Sequence, residues 1–345
     1  MSHQTSSRHW SAGAFTIALS SLSVAASLTL TACHGGDAAA SPTDVSPQAT
    51  AEQQTLTAKW PLTGLPMGAS SPRHGVFVAK IDNTDSSAPQ IGLADADLVT
   101  EELVEGGLTR LAVFFDSQIP EVVGPVRSMR ASDIGVVKPA TATLVASGGA
   151  PPTVRRLAGA GIKTETEGAV GYYRDSARSA PYNLMMKLPE LVESLGNTPR
   201  PARPYLPFGT QRDFRGGKPA KSFRAVFSAG HTTSWQYEAG QGYVRPDSFA
   251  LEGADYVPDS VLVLRVRIID AGYRDPAGNP VPETVLTGRG AAMLFHDGRV
   301  VKGSWTKTSD AAALHLGARG RPLKVPAGHV WIELVPADTG RVTIG

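Results

Sequence analysis

One cysteine in 345 residues, Cys33, decides how this chain can be held together. A lone thiol permits no internal disulfide framework and no cysteine-based zinc site, so whatever folds must rest on apolar burial. Its position carries as much information. A short polar start containing Arg8 ends near Trp10, and a mostly apolar run then leads to Leu30-Thr31-Ala32-Cys33. Small residues before the cut, an apolar residue three back and Cys directly after form a bacterial lipobox. Residues 1–33 therefore read as a lipoprotein signal peptide, with Cys33 as the lipidation site, and are set aside from the fold. The alternative is an uncleaved signal anchor with a stray cysteine. No later stretch approaches the roughly 20 apolar residues that span a bilayer. Acyl chains on Cys33 would then supply the membrane affinity. The expected location is extracytoplasmic, lipid-anchored to the cell membrane.

Residues 34–58 are small and polar, with two prolines and no aromatic ring. They cannot bury enough apolar surface to offset their ordering entropy and read as a disordered tether. The formal net charge of +2 gives no global pull toward nucleic acid, and export removes such partners in any case. Beyond the tether the expected fold class is α+β. A larger domain with a central sheet and helices is expected over 59–220, and a smaller, mostly-β domain over 221–345. Val76–Ile81, Leu98–Glu105, Leu108–Phe115 and Leu144–Ala146 read as strands, and Pro151–Gly159 and Pro189–Leu195 as helices. A longer helix is expected from Gly124-Pro125 to about Val137. In the second part, Val261–Ile269 and Val330–Leu334 read as strands. Asp297-Gly298 reads as the centre of a hairpin, and Trp235, Tyr237, Tyr243, Trp305 and Trp331 as sheet core or cross-strand pairs.

Nucleotide-binding, metalloprotease and nucleophile-elbow patterns are absent from the sequence, and no two histidines have metal-ligand spacing. Neither a metal nor another cofactor is expected. The match Ser304-Trp305-Thr306-Lys307 falls in a strand and reads as chance. What stands out is charge segregation. Residues 82–121 hold nine acids against one base, Arg110, while 122–224 hold sixteen Lys/Arg against seven acids. Taking Gly106-Gly107 as a two-residue hairpin loop pairs Glu105 with Leu108 and Leu103 with Arg110. Glu101, Glu105 and Arg110 then share one face, with Asp97 continuing the acidic line. This is either an ordinary solvated ion pair or the acidic wall of a cleft, able to hold a cation or to do acid–base work. Arg127 and Arg130, at the head of the expected helix with Ser128 between them, either pair with those acids or hold an anion at free backbone N–H groups. The loop Ser147-Gly148-Gly149 follows a strand and precedes a helix, a place where α/β ligand sites often form.

These motifs resemble the YerB-like bacterial lipoproteins, a family of unknown function. The resemblance lies in Pro61-Leu62-Thr63-Gly64, Ala94–Val99, Leu103–Arg110, Gly124–Arg130 and Ser147-Gly148-Gly149. It continues in Trp235-Gln236-Tyr237, Asp297-Gly298 to Trp305, and Trp331-Ile332-Glu333. It implies a lipoprotein with a larger N-terminal and a smaller C-terminal domain, and it implies no activity. The leading expectation is an anchored envelope protein that binds an anionic envelope component or a partner protein through Arg127, Arg130 and Ser128. The alternative is an envelope hydrolase or phosphotransferase acting on a phosphate- or sugar-containing wall polymer. That reading requires Asp97, Glu101 or Glu105 to converge with the arginines. A weaker similarity in layout, acids on strands followed by arginines, runs to the LytR-CpsA-Psr phosphotransferases.

Overall fold

Short β-branched and aromatic runs, apolar on both sides, become the centre of one mixed sheet. The computed structural model describes residues 58–68, 73–201 and 203–345. Cys33, the signal peptide and the expected tether up to residue 57 lie outside the described residues. The first half supplies β1 (Phe77–Asp82), β2 (Leu98–Leu103), β3 (Thr109–Phe115), β4 (Thr143–Ala146) and β5 (Lys163–Thr166). The second supplies β6 (Ser222–Val226), β7 (Thr232–Glu238), β8 (Gly242–Val244), β9 (Ser260–Arg274) and β10 (Gly288–His296). It continues with β11 (Arg299–Lys307), β12 (Val330–Pro336) and β13 (Arg341–Ile344).

The main sheet runs β11-β10-β9-β12-β2-β3-β1-β4-β5, with His315–Ala318 and Arg321–Pro322 beyond β11. Strand β12 is parallel to both of its neighbours, β9 and β2. The sheet therefore crosses the 220/221 boundary between the two expected domains. Val78, Leu98, Phe114, Leu264 and Ile332 are buried on one face, and Phe77, Val99, Val113, Val263 and Trp331 on the other. A four-stranded sheet, β8-β7-β6-β13, covers part of the second face. It is locked there by Phe223 stacked on Phe295 at 3.6 Å and by Trp235 set edge-on to Trp331 at 5.3 Å. The α+β expectation holds at this coarse level, with strands predominating.

Among the described residues the α-helices are α1 (Asp133–Val137), α2 (Pro151–Gly159) and α3 (Leu188–Leu195). The longer helix expected from Gly124 is a correction. Residues 123–129 are extended because distant strands take their backbone groups. Val123 N–H donates to Met186, Val126 to Leu184, Arg127 to Lys80 and Met129 to Gly148. Tertiary hydrogen bonds here override local helical preference.

Candidate functional site

The hairpin β2–β3 forms as expected, but its register differs by one residue. Glu105–Gly107 makes a 3₁₀ turn with both glycines in the left-handed region, at φ 69 and 74. The loop is thereby lengthened, and the pairs become Leu103 with Thr109, Glu102 with Arg110 and Glu101 with Leu111. A one-residue slip exchanges the faces of a strand. Arg110 thus shares its face with Glu102, and Glu101 points the other way.

On the Arg110 face, burial forces charges into pairs. Glu105, from the turn, accepts from Arg110 Nη2 at 3.0 Å and from Arg130 Nε at 2.8 Å, and it also meets Arg130 Nη2. Arg110 Nη1 donates to the Ser128 carbonyl at 3.1 Å. Beneath them Lys80, wholly buried, lies 2.5 Å from Glu102 and 2.9 Å from Asp133. Arg127 pairs with Asp82 at 3.1 Å and stacks on Tyr182. Burial acts to raise the Glu105 carboxyl, but the Arg130 hydrogen bonds and the Arg110 and Arg130 charges hold it down at about 2. Glu102 goes the opposite way, to about 7. Burial and the Asp133 charge there outweigh Lys80. Burial, with the Arg130 charge adding to it, lowers Arg110 to about 10.

The loop lies beside these arginines. Ser147 N–H donates to the Arg127 carbonyl at 3.0 Å, and the Ser128 and Ser147 hydroxyls are 3.2 Å apart. Gly148 accepts from Met129 N–H, and a Cβ on Gly149 would sit 2.8 Å from Met129 Cγ. Arg110, Arg127, Ser128, Arg130, Glu105 and Ser147 are therefore brought together. Neither arginine heads a helix, however, so the expected dipole contribution to an anion site is lost. Asp97 stands apart, accepting from the Asp116 and Ser117 amides at 2.6 and 2.8 Å to hold the turn after β3.

The opposite face carries a second buried array, which the sequence reading did not assemble. Glu101 Oε1 accepts from Asn83 Nδ2 at 3.0 Å and Thr109 Oγ1 at 2.8 Å, and it lies 2.7 Å from His231 Nε2. Thr233 Oγ1 reaches Glu101 Oε2 at 2.9 Å. Across the β2–β12 ladder Glu101 is in register with Glu333, which accepts from Trp235 Nε1 at 2.6 Å. Burial and the adjacent Glu101 charge push the Glu333 carboxyl well above the usual range. Burial also acts to raise Glu101, but the His231 hydrogen bond and charge bring it below. His231 in turn is raised, since Glu101 outweighs the effect of burial. A cleft of about 200 Å3 opens at His231, lined also by Asn83, Thr233, Arg245 and Asp247. Both carboxyls are fully covered, so the cleft is met by His231 and not by them. A signal for Glu333 was present in the sequence: one acid in the apolar run Val330-Trp331-Ile332-Glu333-Leu334-Val335. Of the three carboxylates considered with Arg127 and Arg130, Glu105 meets Arg130, whereas Glu101 and Asp97 lie elsewhere.

A third feature lies at the sheet edge beyond β10. Residues 209–221 and 298–324 hold ten Lys/Arg against two acids. Lys218-Pro219 pairs with Arg299-Val300, which brings the two segments together. Two surface clefts result, of about 490 and 210 Å3, with Arg319 lining both. Lys218 and Lys302 line the smaller, and His315 and Arg321 the larger. No carboxylate lines either cleft.

Residues 62–200 match the family described as "Protein of unknown function (DUF3048) N-terminal domain", and residues 223–332 match its C-terminal domain. "Putative lipoprotein YerB" of Bacillus subtilis (strain 168) is 24% identical over 289 residues, spanning 81% of this chain and 86% of that protein. A crystal structure of YerB protein from Bacillus subtilis has the same fold, with a TM-score of 0.68 at 22% identity. The match covers 83% of this chain and 99% of that one.

Proposed function

This chain belongs to the DUF3048 family, with both its N- and C-terminal domains present, and from that premise we propose that it is a cell-envelope lipoprotein that binds an anionic envelope component. The anchor is the acylated Cys33, and residues 34–58 give the folded part reach from the lipid surface. Two supports for the anchor are the lipobox itself and the similarity to "Putative lipoprotein YerB" of Bacillus subtilis. No helix among the described residues is long and apolar enough to cross a membrane.

The observation that carries the binding reading is where cations are free. Arg110, Arg127 and Arg130 are all engaged with Glu105 or Asp82. A ligand at Arg127 or Arg130 would have to open one of those pairs, and breaking a buried pair costs about 3–5 kcal/mol. Lys218, Lys302 and Arg321 form no ion pair among the described residues and stand exposed. An anion meets no such barrier there.

The test is fractionation of cells producing the wild-type protein and Cys33→Ser, followed by sedimentation of purified full-length protein with isolated envelope polymer. The expected result is membrane association lost in Cys33→Ser and polymer binding retained by it. Equal membrane association of the two proteins would refute the anchor, and no sedimentation with polymer would refute the binding.

A further inference from the structure

We infer that the two adjoining clefts at the β11 edge form a binding groove for a linear phosphodiester polymer, with Lys218, Lys302, Arg319 and Arg321 contacting successive phosphates. This rests on the reading above and adds to it the place and the ligand class. The first support is adjacency. Arg319 lines both clefts, so the smaller, with Lys218 and Lys302, adjoins the larger, with Arg321 and His315. Cations spread over two adjoining clefts suit a chain with repeated charges better than a single small anion. The second is charge balance. Asp213 and Asp310, the two acids in these segments, line neither cleft. Asp213 is already engaged in capping Thr210, accepting from its backbone N–H at 2.7 Å. The charged side chains that line the groove are therefore of one sign.

The third support is donor chemistry. Two of the four cations are arginines, whose guanidinium forks match phosphate oxygens. They stand on the turn Ala318-Arg319-Gly320-Arg321, where Arg319 and Gly320 both have left-handed backbone, at φ 52 and 75. That conformation makes the tight turn that pairs Ala318 with Arg321 and sets the two arginines two residues apart. A bilayer is the competing source of phosphate, and two features disfavour it. The surface is concave, and none of the exposed large apolar side chains (Leu108, Val154, Val170, Tyr173, Leu251, Ile269) lies on it to enter a lipid interface.

The experiment compares full-length protein with a Lys218→Glu/Lys302→Glu/Arg321→Glu variant. A control variant, Arg155→Glu/Lys163→Glu, alters exposed cations on α2 and on β5 at the opposite end of the sheet. The probes are a glycerol-phosphate polymer, polygalacturonate of similar length, and phosphatidylglycerol vesicles. Binding is read by sedimentation, and folding by circular dichroism. The expected result is binding of the glycerol-phosphate polymer that weakens by at least about tenfold in the groove variant and is unchanged in the control. Equal weakening in both variants, or equal binding of polygalacturonate, overturns the groove or its ligand class. Binding to vesicles but not to polymer overturns the choice of polymer over membrane. Retained binding of isolated envelope polymer by a correctly folded groove variant sinks this inference alone, whereas no envelope binding by the wild type sinks the underlying reading too.

Discussion

Replacing Glu105 by Gln tests the charge array where its energetics are most legible. Glu105 is one carboxylate serving two buried guanidiniums, and its side chain is 12% exposed. An ordinary glutamate titrates near 4.5, and Glu105 is held at about 2. At 1.36 kcal/mol per pH unit the difference corresponds to about 3 kcal/mol of stability. A folded-state pKa below the unfolded value means that this stabilisation is complete above pH 4.5 and fades as pH falls toward 2. Glu105→Gln keeps the shape and one acceptor but leaves Arg110 and Arg130 facing each other without a counter-charge. Urea denaturation at constant ionic strength should give a loss of about 3 kcal/mol at pH 7, narrowing to about 1.4 kcal/mol at pH 3. A variant within about 0.5 kcal/mol of wild type at pH 7, or a loss that does not narrow with acid, would refute the ion-pair account of this face.

Glu333 predicts the opposite pH trend. Its carboxyl is raised, so the folded protein keeps a proton that the unfolded chain releases above about 4.5, and wild-type stability falls as pH rises from there. Glu333→Gln should gain melting temperature relative to wild type at pH 8 and little at pH 5, and the reverse order would contradict a protonated Glu333. Glu101→Gln should move the His231 pKa down toward its ordinary value, which an NMR titration of the imidazole would register; an unmoved His231 would show that Glu101 is not its controlling partner. Gly149→Ala forces a Cβ to within 2.8 Å of Met129 Cγ and should cost about 1 kcal/mol or more in thermal denaturation, where no change would mean that the loop moves aside freely.

Local signals in the sequence survive into the structure. Asp297-Gly298 does turn β10 into β11, with His296 opposite Arg299. Pro151–Gly159 is helical as read, and Trp235, Tyr243, Trp305 and Trp331 are core. The Arg110–Glu105 pair is also present as expected, although for a different reason. It forms because Glu105 sits in the turn, not because it faces Leu108. The register was hidden because a 3₁₀ turn over Glu105–Gly107 and a two-residue loop have the same glycine signature. The helix expected from Gly124 failed on long-range grounds, since its hydrogen-bond partners lie on segments 19 to 63 residues away in sequence. The Glu101–His231–Glu333 array and the basic groove are assembled by β-pairing between the two halves, which no local pattern reports. A lone acid inside an apolar strand was the clue available for Glu333, as a lone lysine inside Phe77–Ile81 was for Lys80.

The most direct measurement is the salt dependence of binding between the full-length protein and purified anionic envelope polymer. If four cations of the β11-edge groove each displace a counterion, log affinity should fall linearly with log salt at a slope of about −3, by analogy with single-stranded polyanions. Affinity that is flat from low to high salt would mean that those cations do not face the ligand, and the protein's role in the envelope would have to lie elsewhere.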